Sequence, residues 1–277
     1  MKESTFINLL RYVKQRFRVI GIEGIQQPSQ NGSSPCCVLT FDDGWKDNYT
    51  RAYPWIREYG VPATIFLTTG FIGGEDAFWV EQVIEVWRDP SKRKKIQLCA
   101  MGGLARGDIM PGLDWVIEYF KRMPGGQRNQ LLSPLLSDRS QSRETDSADR
   151  MLSWDEVTEM SQGGIEFGAH TVTHALLPYE DEATIEREVR EAKLTLEKTL
   201  KKKVSAFAYP NGDWNPRARA RVAAAGYKCA FTTQPGWYRR GQDPYTIRRI
   251  LLHEGNVTGR EGEFSPAMFT LTLARSV

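Results

Sequence analysis

The chain of 277 residues alternates between two patterns of apolar positions, one with the spacing of strands and one with the spacing of helices. The runs 38–41 and 63–69 are apolar or β-branched throughout, which is typical of strands covered on both faces of a parallel sheet. Between such runs, apolar residues recur at helical spacing, as at Ile185, Val189 and Ala192. This order of strands and helices predicts repeated βα units and therefore an α/β fold.

The two patterns locate the individual elements. Strands are predicted at 19–20, 38–41, 63–69, 165–170, 204–209, 227–233 and 247–252, and helices at 4–18, 47–59, 78–87, 113–123, 153–162, 185–200, 216–225 and 266–273. This number of βα units predicts a distorted (β/α) barrel, whose active residues are expected at the carboxyl ends of the strands.

The pattern changes between residues 73 and 150, where predicted helices are joined by glycine-rich and charged connections. The stretch 141–150 is polar enough to be expected to be mobile. We interpret 1–277 as a single domain with an inserted helical subdomain over 73–150, a candidate lid beside the site.

Composition narrows the class of protein. Apolar residues make up 40% of the chain and charged residues 26%, which is ordinary for a globular protein, and the net charge of +3 gives no reason to expect a nucleic-acid partner. No apolar run reaches the ~18 residues of a membrane span, so no transmembrane segment is expected. Without a signal-like N-terminus, a cytoplasmic location is predicted; a shortened N-terminus would leave an exported or peripheral membrane location open.

Two adjacent carboxylates end the strand at 38–41. Asp42 and Asp43 are followed by Gly44, and side chains that alternate along a strand diverge at its end. One carboxylate can therefore face a metal while the other faces a substrate. The alternative is a tight turn, because Asp-Gly is a common turn pair.

Two of the three histidines of the sequence lie four residues apart, at His170 and His174, directly after a predicted strand. Together with one carboxylate they would form a three-ligand site that leaves a position open, as catalytic zinc requires. The metalloprotease pattern of the same spacing needs a glutamate where this chain has Thr171. A pair of hydrogen-bonded structural histidines is the alternative.

A third motif, at 207–212, runs from an apolar strand into a turn fixed by proline and glycine. Such a turn can leave backbone N–H groups at the strand end, where they can stabilise an oxyanion. Taken in order, the motifs at 40–44, 170–174 and 207–212 resemble the polysaccharide deacetylase family, carbohydrate esterase family 4. The resemblance implies a distorted (β/α) barrel that removes N- or O-acetyl groups from sugars with a divalent metal, usually zinc.

The resemblance also implies roles for single residues. Asp42 matches the general base, and Asp43 matches the metal ligand beside His170 and His174. The backbone N–H of Asn211 matches the oxyanion position of the family.

At two positions the sequence departs from the family pattern, so other residues are expected to orient the base and to act as the general acid. Ala208 stands where the family has an arginine that orients the base, and Arg249 is expected to supply that charge, with Arg248 as the alternative. The family branch with the most similar motifs carries its general acid on an N-terminal strand that this sequence lacks. The acid is therefore expected to be His253, unless the sequence is a shortened form.

Aromatic residues near strand ends are candidates for stacking on a sugar. Trp45 and Trp237 belong to this group, and Tyr209 and Trp214 are the residues predicted to bind substrate. The predicted function is metal-dependent hydrolysis of N-acetyl groups on a sugar of a polysaccharide or glycoconjugate. The alternatives are a catalytically impaired homologue that binds glycan or acts as a scaffold, and a hydrolase of another non-peptide C–N bond.

Overall fold

A computed structural model of the protein describes residues 1–26, 35–74, 78–101, 110–136, 150–239 and 241–276. Its centre is a sheet of five parallel strands in which the spatial order of the strands follows the sequence. The strands of this sheet are β3 (Leu39–Phe41), β4 (Ala63–Leu67), β5 (Glu166–Ala169), β6 (Ala206–Ala208) and β7 (Cys229–Phe231). A separate pair of short parallel strands comprises β1 (Arg18–Val19) and β2 (Cys36–Cys37).

Helices precede, connect and follow these strands. They are α1 (Glu3–Arg16), α2 (Tyr53–Tyr59), α3 (Trp79–Arg88), α4 (Pro90–Ala100), α5 (Leu113–Lys121), α6 (Gly125–Leu136), α7 (Trp154–Gln162), α8 (Glu182–Leu200), α9 (Pro216–Ala224), α10 (Glu254–Val257) and α11 (Pro266–Ala274). The curled sheet with its helices is half of a (β/α) barrel. It belongs to the predicted fold class, and each central strand lies within a predicted strand segment.

The sheet is apolar on both faces, which explains why its strands read as continuous apolar runs. Side chains alternate along β4, so Ile65 and Leu67 pack in the same cluster as Val189 of α8. Phe66 points to the opposite face, where its ring lies 5.3 Å from the ring of Phe231. Burial on both sides fixes the register of the sheet and with it the positions of the strand ends.

The carboxyl ends of the strands lie along one edge of the sheet. The pairs near this edge are Phe41 with Ile65, Leu67 with Ala169, Ala169 with Phe207, and Ala208 with Phe231. All five strands are parallel, so the segments that follow them emerge on the same side.

Helices α3 to α6 lie between β4 and α7 in sequence and surround an apolar cluster of their own. Its fully buried members include Val83, Ile96, Val116, Phe120 and Leu132. Leu176, shortly after β5, joins this cluster and connects it to the rest of the chain. The predicted insertion at 73–150 contains these helices, whereas the polar stretch at 141–149 lies outside the described residues.

One local prediction was wrong, and a second, confirmed in extent, differs in the type of helix at its start. The strand predicted at 247–252 does not form, because only Ile247 pairs with the sheet, through a single bridge to Phe231. Beyond it, the Arg249 N–H donates to the carbonyl of Gln234 in a loop rather than to a sheet ladder. The helix predicted at 47–59 begins as a π-helix, Asn48–Ala52, and turns α-helical only at α2, where Pro54 lacks the N–H that an α-helical ladder needs.

The helix predicted at 153–162 was confirmed as α7. Ser153 caps α7 by accepting a hydrogen bond from the Glu156 N–H, and the Glu156 carboxylate accepts one from the Ser153 N–H. All four cysteines are free thiols. Among the helices of the described residues, none combines the length and the apolar character that crossing a bilayer demands.

Candidate metal centre and active site

The three sequence motifs converge at the carboxyl edge of the sheet. Asp42 and Asp43 follow β3 directly, His170 follows β5, and Asn211 lies in the turn after β6. These are the positions at which (β/α) barrels carry their active residues.

Asp43, His170 and His174 bring three metal-binding atoms together. The Nε2 atoms of both histidines lie 3.4 Å from Oδ1 of Asp43, and all three atoms are within 4.8 Å of one another. A tetrahedral ion with bonds of about 2.1 Å holds its ligand atoms about 3.4 Å apart. The residues therefore fit a zinc-like ion with a fourth position left for water or substrate.

Hydrogen bonding orients the His170 ring. Its Nδ1 lies 2.7 Å from the carbonyl oxygen of Ala208, which can only accept, so the proton belongs on Nδ1. In the neutral ring the lone pair of Nε2 is then available to a metal ion between it and Asp43 Oδ1. Ala208, where the family has an arginine, thus contributes its backbone oxygen to the site.

Trp45 holds the other oxygen of the Asp43 carboxylate. Its indole Nε1–H donates to Asp43 Oδ2 over 3.1 Å, and its ring meets Phe78 edge-on at 5.2 Å. Phe78 in turn lies 4.9 Å from the His174 ring. Sequence reasoning named Trp45 only as a sugar contact; its position two residues after Asp43 was the available signal for a supporting role.

The surroundings set the charges of the three ligands. Burial acts to raise the pKa of Asp43, but the hydrogen bond and charge of His170, the charge of His174 and the bond from Trp45 lower it to about 2. Burial, with the nearby charge of His170, lowers the pKa of His174 to about 4. The pKa of His170 is raised because its hydrogen bond to Asp43 and the charges of Asp42 and Asp43 outweigh the effect of burial. At neutral pH, Asp43 is therefore ionised and His174 neutral, as metal ligands must be.

The site is built on left-handed backbone. Asp43 (φ 73°), Thr171 (φ 65°), His174 (φ 56°) and Asn211 (φ 57°) all lie in this region, which is uncommon for residues other than glycine. Lys201, the other described non-glycine residue with positive φ, caps the end of α8. Such residues persist only where their surroundings hold them, and here they fall within the three motifs.

Asp42 pairs with Arg249, and its charge also acts to raise the pKa of His170 and of His174. Nη1 and Nη2 of the arginine donate to Oδ1 and Oδ2 of the carboxylate, each over 2.7 Å. The Nε–H of Arg249 donates to the carbonyl of Thr232 over 2.8 Å, which fixes the plane of the guanidinium. Of the two arginines considered from the sequence, the structure brings Arg249 to Asp42 and leaves Arg248 exposed.

The turn after β6 presents the backbone of Asn211. The turn is closed by the N–H of Gly212, which donates to Tyr209, and by the N–H of Asp213. The Asn211 side chain donates to Asp213 Oδ2 over 2.8 Å, and its carbonyl accepts from the Thr233 hydroxyl over 2.8 Å. Oδ2 of Asp213 also lies 3.3 Å from the ammonium of Lys121 on α5, which links the turn to the additional helices.

Tyr209 does not suit its predicted role as a sugar contact. Its side chain is fully buried in the core, and its hydroxyl donates to the carbonyl of Tyr245 over 3.1 Å. An apolar ring at the end of a buried strand packs inward, which the alternation along β6 already implied. Trp214 is half-buried and packs against the main core, while Trp237 is exposed and donates to the carbonyl of Leu273.

His253 is exposed at the start of α10, and its backbone N–H donates to the Asn256 side chain over 2.9 Å. Among the hydrogen bonds and ion pairs of the described residues, none joins His253 to Asp42, Asp43 or the other two histidines. The described contacts thus join Asp43 to His170 and His174 and join Asp42 to Arg249, but they include no hydrogen bond or ion pair from His253 to these residues.

Arg128 is a charged residue near the site that the sequence did not indicate. It lies on α6, is 3% exposed, and places its guanidinium 4.5 Å from the ring of Trp79. Burial lowers its pKa to about 10, and its charge contributes to the lowered pKa of His174. An arginine within an otherwise apolar face of a helix was the only signal in the sequence.

A half-barrel with an Asp-His-His cluster and a paired second aspartate at its strand ends defines an α/β protein with a candidate divalent-metal site. The chain belongs to the polysaccharide deacetylase family, because residues 29–230 match the family model described as Polysaccharide deacetylase. The resemblance based on the three motifs is thereby confirmed.

Individual relatives share little sequence with the chain. It is 22% identical over 236 residues to YxkH of Bacillus subtilis (strain 168), whose name associates it with polysaccharide deacetylation. The match covers 85% of this chain and 58% of YxkH, so the chain spans less than two thirds of that relative.

Solved structures confirm the fold class. The Streptococcus pyogenes deacetylase PplD in complex with acetate is similar with a TM-score of 0.64 and 18% identity, covering 98% of this chain and 86% of that chain. IcaB from Ammonifex degensii is similar with a TM-score of 0.61 and 17% identity, covering 92% and 86%. At these identities the likeness concerns the fold alone.

Proposed function

We propose that the protein is a metal-dependent hydrolase that removes N-acetyl groups from a sugar of a polysaccharide or glycoconjugate. The observation that carries the proposal is the Asp43, His170 and His174 cluster, whose spacing suits one tetrahedral ion. Family membership supports the substrate class, and the acetate named with PplD is the product expected here.

Zinc is the proposed ion, because one carboxylate and two imidazoles are donors that it favours. Asp43 and the Nε2 atoms of His170 and His174 would hold it. A divalent ion in this place supplies the Lewis acidity that amide hydrolysis needs.

Asp42 is the proposed general base. Its two oxygens each accept one bond from Arg249, and a carboxylate has further lone pairs with which to accept a proton from the attacking water. Arg249 keeps the carboxylate in one orientation, so Asp42 need not reorganise during the reaction.

The backbone N–H of Asn211 is the proposed donor to the acetyl oxygen as negative charge develops on it. The left-handed backbone at this residue and the bonds of its side chain and carbonyl favour one fixed direction for the N–H. Trp214, half-buried just beyond the turn, is the proposed aromatic contact for the sugar.

The test is acetate release from N-acetylglucosamine oligomers, measured with metal-stripped protein and after zinc or cobalt is added. Asp42→Asn is compared with Asp47→Asn, which removes an exposed carboxylate outside the cluster. We expect metal-dependent release that Asp42→Asn abolishes and Asp47→Asn preserves. Stripped protein that binds no added metal would overturn the proposal.

His253 is the proposed general acid for the leaving amine, since it is the histidine of the chain outside the ligand set. His253→Ala should then lower kcat by about 100-fold, within the range of general acid catalysis. An unchanged kcat would exclude His253 from this role.

A catalytically impaired homologue that binds glycan is the second candidate, favoured by the exposed position of His253 in the loop before α10. It predicts stoichiometric metal and glycan binding without acetate release, so the same assay separates it from the first candidate.

A further inference from the structure

The loop 170–174, which carries both histidine ligands, has a backbone that needs support from outside. Thr171 and His174 are left-handed, and no glycine in the loop relieves them. Left-handed residues other than glycine are less stable than extended or right-handed ones. A loop of this kind keeps its shape only where neighbouring elements fix it.

One side of the loop is held by the segment after β4. The N–H of Thr69 donates to the carbonyl of Thr171 over 3.2 Å, and the N–H of Gly70 donates to that of Val172 over 2.8 Å. Within the loop, the Thr171 hydroxyl donates to the His170 carbonyl over 2.6 Å and accepts from the Ala175 N–H over 3.2 Å.

Glu188 holds the other side. From α8 its Oε2 accepts hydrogen bonds from the N–H groups of Val172 and Thr173, both over 2.8 Å, and its Oε1 accepts from the Thr173 hydroxyl over 2.9 Å. The residue is only 1% exposed. A carboxylate so deeply buried is costly unless its oxygens are used, and here three donors converge on it.

The position of Glu188 within α8 separates it from ordinary surface glutamates. Ile185, Val189 and Ala192 form the face of the helix that packs against the sheet, and Glu188 interrupts this face with a charge. Within the described part of the chain, its carboxylate bonds to the segment between the two ligands, and the guanidinium of the neighbouring Arg187 lies 3.9 Å from its Oε1.

We infer that Glu188 is a positioning residue for the metal centre. By bonding two of the three backbone N–H groups between His170 and His174, it fixes the distance and direction of the two imidazoles relative to Asp43. The inference rests on the proposed function, since Glu188 is inferred to maintain the geometry of the site at which the metal is proposed to bind. Groups behind metal ligands can change metal affinity by about 10- to 100-fold without touching the ion.

The experiment measures zinc affinity by competition titration of metal-stripped protein and, separately, the thermal midpoint of the metal-free protein. Glu188→Ala removes all three bonds and should weaken zinc binding by about tenfold or more. Glu188→Gln keeps an oxygen for the two N–H groups and an amide that can donate to Thr173, so it should recover most of the affinity. The matched control is Glu191→Gln, an exposed glutamate of the same helix, which should bind zinc as the wild type does.

Substitution of Thr173 offers a milder test that does not depend on whether the Glu188 variants fold. This residue is exposed, so Thr173→Val should fold, lose the hydroxyl bond and bind zinc about threefold more weakly. Thr173→Ser, which keeps the hydroxyl, should match the wild type.

The outcomes separate the inference from the proposed function. If the stripped wild type binds no zinc, both are overturned. If the wild type binds zinc and both Glu188→Ala and Thr173→Val bind it equally well, only the inference is overturned, even if their thermal midpoints fall. Where Glu188→Ala does not fold, the comparison of Thr173→Val with Thr173→Ser decides.

Discussion

Asp42 and Arg249 lie 207 residues apart in the sequence and meet through two parallel hydrogen bonds of 2.7 Å. The arrangement is the bidentate geometry that makes arginine a more specific partner of carboxylates than lysine. Arg249 is itself held by the carbonyl of Thr232 after β7 and stacks 5.9 Å from the Phe66 ring. The arginine beside the proposed base thus comes from a segment that does not belong to the sheet.

This pair leads to a prediction about Arg249→Lys. Lysine keeps the positive charge but cannot bind both carboxylate oxygens in one plane, so Asp42 should lose its fixed orientation. We expect kcat for acetate release to fall by about 10- to 100-fold, as misplaced catalytic groups do, while zinc content stays unchanged. Arg248→Lys, the same change in the exposed neighbouring arginine, is the control. Equal kcat values for both variants would show that the bidentate pair does not orient the base.

The bond from Trp45 to Asp43 gives a second prediction. Trp45→Phe keeps an aromatic ring against Phe78 but removes the N–H that fixes Asp43 Oδ2. Zinc affinity should fall by about tenfold in a competition titration. Trp55→Phe is a matched control, because it removes an indole bond to Glu3 on the protein surface. A Trp45→Phe protein with wild-type affinity would mean that Asp43 needs no such support.

The strands that carry the site could be predicted because their local pattern is unambiguous. In β4 every residue is buried, and only an apolar run satisfies a strand covered on both faces. The motif residues follow such runs directly, so the strand ends locate them without knowledge of the remaining fold.

The parts of the site that local patterns left open or missed depend on contacts between residues distant in sequence. Arg249 and Arg248 look alike in the sequence, and only the burial of Ile247 against the sheet turns Arg249 inward, since alternate residues of an extended segment share a side. The same limit applies to Arg128, whose guanidinium lies over the ring of Trp79 on another helix. The left-handed backbone at the motifs has only a weak signal in residue type, since aspartate, histidine and asparagine adopt it more often than other non-glycine residues but still uncommonly.

The pKa shifts of the two histidine ligands predict the pH dependence of metal binding. The pKa of His170 is raised and that of His174 is lowered to about 4, whereas Asp43 titrates at about 2. Metal binding requires neutral imidazoles, so affinity is complete above the raised pKa of His170 and falls as the pH decreases through it. His174 and Asp43 stay deprotonated in this window and release no proton.

Zinc titrations between pH 5 and pH 8 check this expectation. With a single competing proton, the dissociation constant should rise by about tenfold per pH unit below the pKa of His170. If both histidines took up protons in this range, the dissociation constant would change by about 100-fold per pH unit. That result would contradict the assigned pKa shifts. The change should also be accompanied by release of about one proton per zinc bound.

Gly212 tests how closely the turn of Asn211 must be held. Gly212 has φ 74°, and a Cβ there would lie 2.1 Å from the Thr233 hydroxyl oxygen, which itself bonds to the Asn211 carbonyl. Gly212→Ala should therefore lower stability by more than the ~1 kcal/mol of left-handed strain and displace the Asn211 N–H, with a clear loss of kcat.

Gly60→Ala is the control: its φ is 59°, but nothing lies within 4 Å of the added Cβ. We expect Gly60→Ala to lower the midpoint of urea unfolding by the strain alone and to leave kcat unchanged. If Gly212→Ala kept full kcat, the oxyanion role proposed for the Asn211 amide would be untenable, because the turn could not shift to accommodate the methyl group without moving that N–H.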